Sequence, residues 1–370
     1  MRYEAGNLAS EVVLTTAEVP EDEKGWRDEI KRVYNVDLPE NRRVEIAQLR
    51  HWGNPAQPMI YVRYRITDRP DVRPDVDYPA LIKTAKIAPR RTPKTAPDRV
   101  RVIIGGDDQV GKVDHRGGLD AYLSRKANIA AQLDDLMRRE PCAEAVILDP
   151  GDLVEGFEST GQQAFTNDLS LPEQLEMARH MVTHLVSVVS ARHKTTRVAT
   201  VPSNHGAWRR GKDRLGKPSD DFGIDVHKAV AEAFALAKRT DVTWIIPEPW
   251  QESLALQVGG AIVGLAHGHQ VSRPDGIPDW WAKQTHGGGP LAAATILVTG
   301  HYHHLRIQPT GQIDGRDRWW MQAPTLDNGS SWFRNAGGGS DSEPGLLTFT
   351  IDDTGRWDNL RLITEAEERS

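Results

Sequence analysis

The chain has 370 residues, with 46 Lys or Arg against 52 Asp or Glu, a net charge of −6 and one cysteine, Cys142. Such a length buries a large core and exceeds one ordinary domain. The acidic balance argues against a protein that coats nucleic acid indiscriminately, and a lone cysteine excludes an internal disulfide, in keeping with a reducing cytosol. Apolar runs such as ILVTG and GGAIVGLA fall far short of the roughly 20 residues that cross a bilayer. The N-terminus lacks the charged start, apolar core and small-residue cleavage site of an export signal, so a cytoplasmic protein without membrane contact is expected.

Residues 1–88 read as a separate, small α+β module of unassigned role. In EKGWRDEIKRVY the residues Trp26, Ile30, Val33 and Tyr34 share one helical face, and PMIYVRYRIT alternates as a strand does. Residues 89–98, in and around APRRTPKTAP, read as a Pro-rich basic linker. From 99 to 370 strands and helices alternate, the pattern of an α/β domain. RVRVIIGG is a buried strand ending at glycines, LDAYLSRKANIAAQLDDLMRRE a long amphipathic helix, and AEAVILDPGD a strand ending in Asp152. A helix at LPEQLEMARHMVTHLVSVVSARH precedes the strand TRVATVPSNHG, which closes on Asn204 and His205. The helix around DVHKAVAEAFALAKR is followed by the strands VTWIIP, SLALQVG, AIVGLAHGH and TILVTGHYHH, with no internal repeat and no heptads.

Polar residues recur where these strands end: GDDQVG at 106–111, GD at 151–152, SNHG at 203–206, HGH at 267–269 and GHYH at 300–303. The ends of sheet strands are where α/β folds place their sites. Each motif alone is weak, since a histidine at a strand end is often structural. Five in sequence, supplying carboxylates, amide oxygens and imidazoles, point to a metal centre.

This ordered set resembles the calcineurin-like metallophosphoesterases, whose pattern runs D-x-H, GD, GNH with a following acid, a later His and GH-x-H. The resemblance covers roughly residues 100–350 and implies a β-sandwich flanked by helices. It implies a pair of divalent ions, manganese ahead of magnesium, zinc or iron. Asp107, Gln109, Asp152 and His303 would hold one ion, and Asp152, Asn204, His267 and His301 the other, with Asp152 as the bridge. On an extended segment His301 and His303, two apart, would point the same way, while His304 faces elsewhere. Two such ions about 3.5–4 Å apart polarise a phosphoryl oxygen and acidify a bridging water into the attacking hydroxide. His205 would stand near the leaving group as proton donor or charge stabiliser.

Three positions depart from the pattern. Gln109 stands in place of histidine, a weaker oxygen donor that favours manganese or magnesium. Ser203 replaces a glycine. Gly206 replaces the acid, so the group that orients His205 comes from elsewhere in the fold. Downstream, WRRGKDRLGK offers Arg209, Arg210 and Lys212 as contacts for a substrate's phosphates, against the alternative of a solvated loop. Trp280, Trp281, Trp319, Trp320 and Trp332 are candidates either for stacking bases or for packing. The expected activity is phosphodiester hydrolysis, foremost by a phosphodiesterase or nuclease acting on nucleic acid, with DNA as one candidate substrate. A phosphatase or small-molecule (cyclic nucleotide) phosphodiesterase, and a catalytically weak metal-binding scaffold, are the alternatives. Nothing in the sequence names a protein partner.

Overall fold

The computed structural model describes residues 9–14, 23–35, 37–38, 42–54, 57–68, 82–83, 85–86, 98–157, 166–210, 213–331, 334–335 and 342–365. The chain divides into two compact units, Met1–Pro74 and Asp75–Ser370. The smaller unit contains β1 (Ala9–Leu14), α1 (Glu23–Tyr34), β2 (Arg42–Asn54) and β3 (Gln57–Asp68), its strands forming an antiparallel sheet in the order β1-β3-β2. Trp26 and Ile30, one helical turn apart in α1, are buried, as the apolar spacing requires. In the larger unit Ala85 is buried within the core and Ile82 packs against it, although the sequence grouped both with the N-terminal module. The expected Pro-rich linker lies, but for Asp98, outside the described residues.

The larger unit follows as β4 (Val100–Ile104), α2 (Leu119–Arg139), β5 (Glu144–Asp149), α3 (Leu171–Ser190), β6 (Thr195–Thr200), β7 (Arg209–Arg210), β8 (Asp213–Arg214), α4 (Phe222–Leu236) and β9 (Val242–Ile245). It continues through β10 (Ser253–Val258), β11 (Ala261–Ala266), α5 (Ile277–His286), β12 (Ile296–Thr299), β13 (Arg306–Ile313), β14 (Arg316–Gln322), β15 (Gly345–Ile351) and β16 (Trp357–Thr364). One sheet runs β16-β15-β4-β5-β6-β9 and the other β10-β11-β12-β14-β13.

Side-chain alternation along the strands builds the layers. In β4, Val102 and Ile104 join Val146 and Leu148 of β5 and Val263, Leu265 and Val298 of the second sheet in one apolar layer. Ile103 and Ile147, pointing the other way, meet Leu133, Val186 and Phe234 of the helices α2, α3 and α4. Strands covered on both faces must be apolar at nearly every position, which is why these runs show no polar alternation. On the far side, Leu297 and Trp320 of the second sheet pack with Ile277 and Trp281 of α5. The expected sandwich flanked by helices is therefore present: helices, sheet, sheet, helix. Among the described residues no helix is long and apolar enough to cross a membrane.

Strand direction places the motifs. β4, β5, β6 and β9 are parallel, as are β11, β12 and β14. Parallel strands deliver all their carboxyl ends to one edge. The loops after β4, β5, β6, β11 and β12 carry the five sequence motifs.

Candidate metal centre

The loops at this edge are tightly bonded to one another. Asp107 N donates to Gly151 O at 2.9 Å, Gln109 N to Asp152 O at 2.9 Å and Gly300 N to His267 O at 2.9 Å. His301 N lies 3.0 Å from both carboxylate oxygens of Asp107, and His205 N donates to Asp152 Oδ1 at 2.8 Å. Glycine is required at 300, where a Cβ would stand 2.2 Å from Asp107 Oδ2.

Asp107, Gln109, Asp152, His301 and His303 all have left-handed backbones, with φ of 50, 42, 51, 70 and 60°. Such angles are uncommon for residues with a Cβ and persist only where surrounding structure enforces them, typically at functional sites. His301 and His303 accordingly do not lie on an extended segment, as their spacing suggested. They follow β12 on a tight loop, and strained backbones rather than strand pleating set their directions.

Asp152, His267 and His301 converge, each offering a ligand atom within 4.8 Å of the others. His267 Nε2 is 3.0 Å from Asp152 Oδ2 and 2.8 Å from Asn204 Oδ1, and its ring centroid is 4.9 Å from that of His301. The other nitrogen, Nδ1, donates to the Pro150 carbonyl at 2.8 Å, because a carbonyl can only accept. Nε2 thus meets two oxygens from a buried position. Either a proton on Nε2 or a metal ion can bridge these atoms, and a carboxylate, an amide oxygen and two imidazoles suit manganese, iron or zinc. These residues fit a metal ion.

The electrostatics point the same way. Burial opposes charge on Asp152, yet the neighbouring His267 and His205 hold its carboxyl well below the usual range. Burial also opposes a proton on His267, but Asp152 outweighs it and raises that histidine to about 9. The field that would keep a proton there is the field that would hold a metal. Burial, with His267 beside it, pushes His301 down to about 2, which leaves it a neutral donor.

Around His303 the arrangement differs. His303 Nε2 is 3.5 Å from Asp107 Oδ1 and 3.4 Å from Gln109 Nε2, while Nδ1 is 3.4 Å from Asp327 Oδ2. Lys112 Nζ donates to Gln109 Oε1 at 2.6 Å and to the buried Asp327. Burial works against the Lys112 charge, but Asp327 and Glu155 hold the ammonium above its ordinary value. The Gln109 oxygen that the sequence offered to an ion therefore faces an ammonium. Neither Lys112 nor Asp327 was singled out from sequence. Asp327 lies beyond the end of β14, a further parallel strand that runs to the same edge, which was the signal that could have found it.

His205 stands beside the triad, its Nε2 4.0 Å from Asp152 Oδ2. Its Nδ1 lies 2.9 Å from the Glu155 carbonyl and 3.2 Å from the Glu155 carboxylate. Burial disfavours a charged His205, but Asp152 and Glu155 prevail and raise it to about 9. Glu155 is thus the orienting group expected from elsewhere in the fold, three residues beyond Asp152 in GDLVEG. The acid missing at 206 has a replacement in space. A Cβ on Gly206 would be 2.7 Å from both oxygens of Asp221, which accepts from Ser203 N at 2.9 Å and caps α4 by accepting from Ile224 N at 3.0 Å.

The basic residues divide. Arg209 Nε donates to Asn204 O at 3.1 Å and Arg214 Nη2 to Ser203 O at 3.3 Å, so both brace the loop that carries Asn204. Arg210 is exposed on the β7-β8 hairpin, and Lys212 lies outside the described residues. Trp281 and Trp320 are fully buried, which removes them as base-stacking candidates, and Trp332 lies outside the described residues. Among the described residues, Trp208 and Trp250, 56% and 76% exposed, are open to solvent, and neither was a candidate from the sequence.

No family model and no curated protein matches the chain. Among solved structures it is similar to vacuolar protein sorting 29 from Cryptosporidium parvum, with 13% identity, 72% of this chain and 98% of that one covered, and a TM-score of 0.33. It is similar to a predicted phosphoesterase from Streptococcus pneumoniae, with 12% identity, 73% and 92% coverage and a TM-score of 0.31. A purple acid phosphatase from yellow lupin seeds shows 11% identity, 86% and 61% coverage and a TM-score of 0.36.

Proposed function

We propose that this chain is a metal-dependent phosphoric ester hydrolase of the calcineurin-like type, acting on phosphodiesters, with nucleic acid as the first substrate class to test. The observation that carries the reading is the convergence of Asp152, His267 and His301 within 4.8 Å, on loops at one edge of a sandwich, with His205 alongside at 4.0 Å from Asp152. When bound there, a divalent ion polarises a phosphoryl oxygen and acidifies water, and manganese suits this mixture of oxygen and nitrogen donors. Asp152 supplies the negative charge that retains the cation. Asn204 and His301 supply neutral donors. His205 is positioned to give a proton to a departing alkoxide, and Glu155 holds its ring by the opposite nitrogen.

Exposed Trp208, three residues beyond His205, supports a substrate that carries a base, since aromatic faces stack bases without regard to sequence. A second reading, a small-molecule phosphodiesterase, is favoured by one observation: Arg209 and Arg214 are turned onto loop carbonyls, which leaves fewer cations for a polyanion. Purified protein assayed with manganese on an aryl phosphodiester, an aryl monoester, and single- and double-stranded DNA separates these. Diester and DNA cleavage supports the first reading, diester cleavage without DNA the second. Monoester preference overturns both.

A further inference from the structure

The sequence resemblance implies a second ion held by Asp107, Gln109 and His303 together with Asp152, and the residues present do not fit one there. The one oxygen of Gln109 accepts from Lys112 Nζ at 2.6 Å, so an ion bound to that oxygen would sit against an ammonium. The amide's other end lies 3.4 Å from His303 Nε2. The same ammonium meets Asp327, and Asp327 in turn lies 3.4 Å from His303 Nδ1, so lysine, glutamine, aspartate and histidine satisfy one another.

Lys112 is also fixed from behind. Its backbone N donates to Gln109 O at 3.0 Å, and its carbonyl accepts from Asn328 Nδ2 at 2.7 Å. Asn328 and Asp327 belong to one loop, so the segment that holds the lysine backbone also presents the carboxylate to its tip. Asp327 is itself held by Gly329 N, which donates to Oδ1 at 2.8 Å. A divalent ion entering this position would have to expel a positive charge that the fold has built in.

We propose that the centre binds one divalent ion, at Asp152, Asn204, His267 and His301, and that the Lys112 ammonium takes the second cationic position. Gln109 in place of histidine and Lys112 three residues later are then two halves of one change: a poor metal ligand and the cation that replaces the metal. The value of a fixed charge at that point for a phosphoryl substrate rests on the proposed function. The ion count does not, and it is read without any substrate.

The test is manganese content of the full chain after equilibration with Mn2+ and removal of free ion, by elemental analysis, together with the electron paramagnetic resonance spectrum of the bound metal. One ion per chain with an uncoupled mononuclear spectrum is expected. Two ions per chain with a magnetically coupled spectrum, or no bound ion, overturns the proposal. The double variant Lys112→Met with Gln109→His, checked for folding by circular dichroism, should double the content to two and bring in the coupled spectrum. A folded double variant that still holds one ion also counts against it. Absence of hydrolysis with one ion bound would sink the proposed function and leave the ion count standing.

Discussion

The carboxylate of Asp221 occupies the space that a side chain on Gly206 would need, with both oxygens 2.7 Å from where a Cβ would stand. The pair therefore acts as a unit. Gly206→Ala should destabilise the protein by about 1–3 kcal/mol through overpacking. In an Asp221→Ser background the same change should cost much less, since the obstructing carboxylate is gone. Urea unfolding of the four proteins in this cycle checks it, and additive costs would show that the two residues do not share that space.

His205 and Asp152 should separate into different roles. His205→Ala should keep the metal and lose about 10²–10⁴-fold on an alkyl phosphodiester, the usual worth of general acid assistance. The loss should shrink on an aryl ester, whose phenolate departs without a proton. Glu155→Gln should give a smaller deficit with a shifted pH profile, because Glu155 Oε2 lies 3.2 Å from the His205 ring and acts through it. Parental rates on the alkyl ester in His205→Ala would remove the residue from the mechanism.

Metal content distinguishes the ligands. Asp152→Asn should lose the bound ion, because the buried carboxylate is its charged donor. Gln109→Ala should retain it, since the Gln109 oxygen faces Lys112. Equal loss in both variants, by elemental analysis after dialysis, would contradict this division.

The β7-β8 hairpin should show two kinds of arginine. Arg210→Ala should lower the slope of log affinity for DNA against log salt by about one unit and spare aryl ester hydrolysis. Arg209→Ala should impair both, because Arg209 braces the Asn204 carbonyl. Filter binding at several salt concentrations, with ester assays in parallel, compares them. Identical behaviour of the two variants would mean that the bracing bond is immaterial.

His193 provides a pH test away from the centre. It is buried, and burial pushes it down to about 4 even though its Nδ1 donates to the Val189 carbonyl at 2.8 Å. The unfolded histidine titrates near 6.5, so between about 6.5 and 4 the unfolded state binds more protons than the folded one. His193's contribution to stability is complete above pH 6.5 and is lost as pH falls toward 4, by on the order of 3 kcal/mol. His193→Gln should flatten the dependence of unfolding free energy on pH in that window. An unchanged slope would mean that the ring protonates in the folded state as readily as in the unfolded one.

The legible part of the site was the part that repeats along the chain. Apolar runs such as VRVII and EAVILD had to be strands, and parallel strands had to send Asp107, Asp152, Asn204, His267 and His301 to one edge. What escaped the sequence depends on contacts between distant residues or on backbone geometry. Lys112 meets Asp327 across 215 positions and Asp221 reaches Ser203 across 18, and neither distance leaves a local trace. The left-handed turns at His301 and His303 sit in a segment that reads equally well as an extended strand end. Tryptophan carries no mark of its burial: Trp320 fills the core and Trp208 faces solvent, and only packing tells them apart.

The most direct test of the central claim is hydrolysis of an aryl phosphodiester by metal-stripped protein titrated with Mn2+. Metal-stripped protein should be inactive, and activity should rise in proportion to bound ion until Asp152, Asn204, His267 and His301 are saturated. Asp152→Asn should stay inactive at every concentration used. Full activity in the stripped protein, or none in the metal-loaded protein, would contradict a metal-dependent phosphodiesterase.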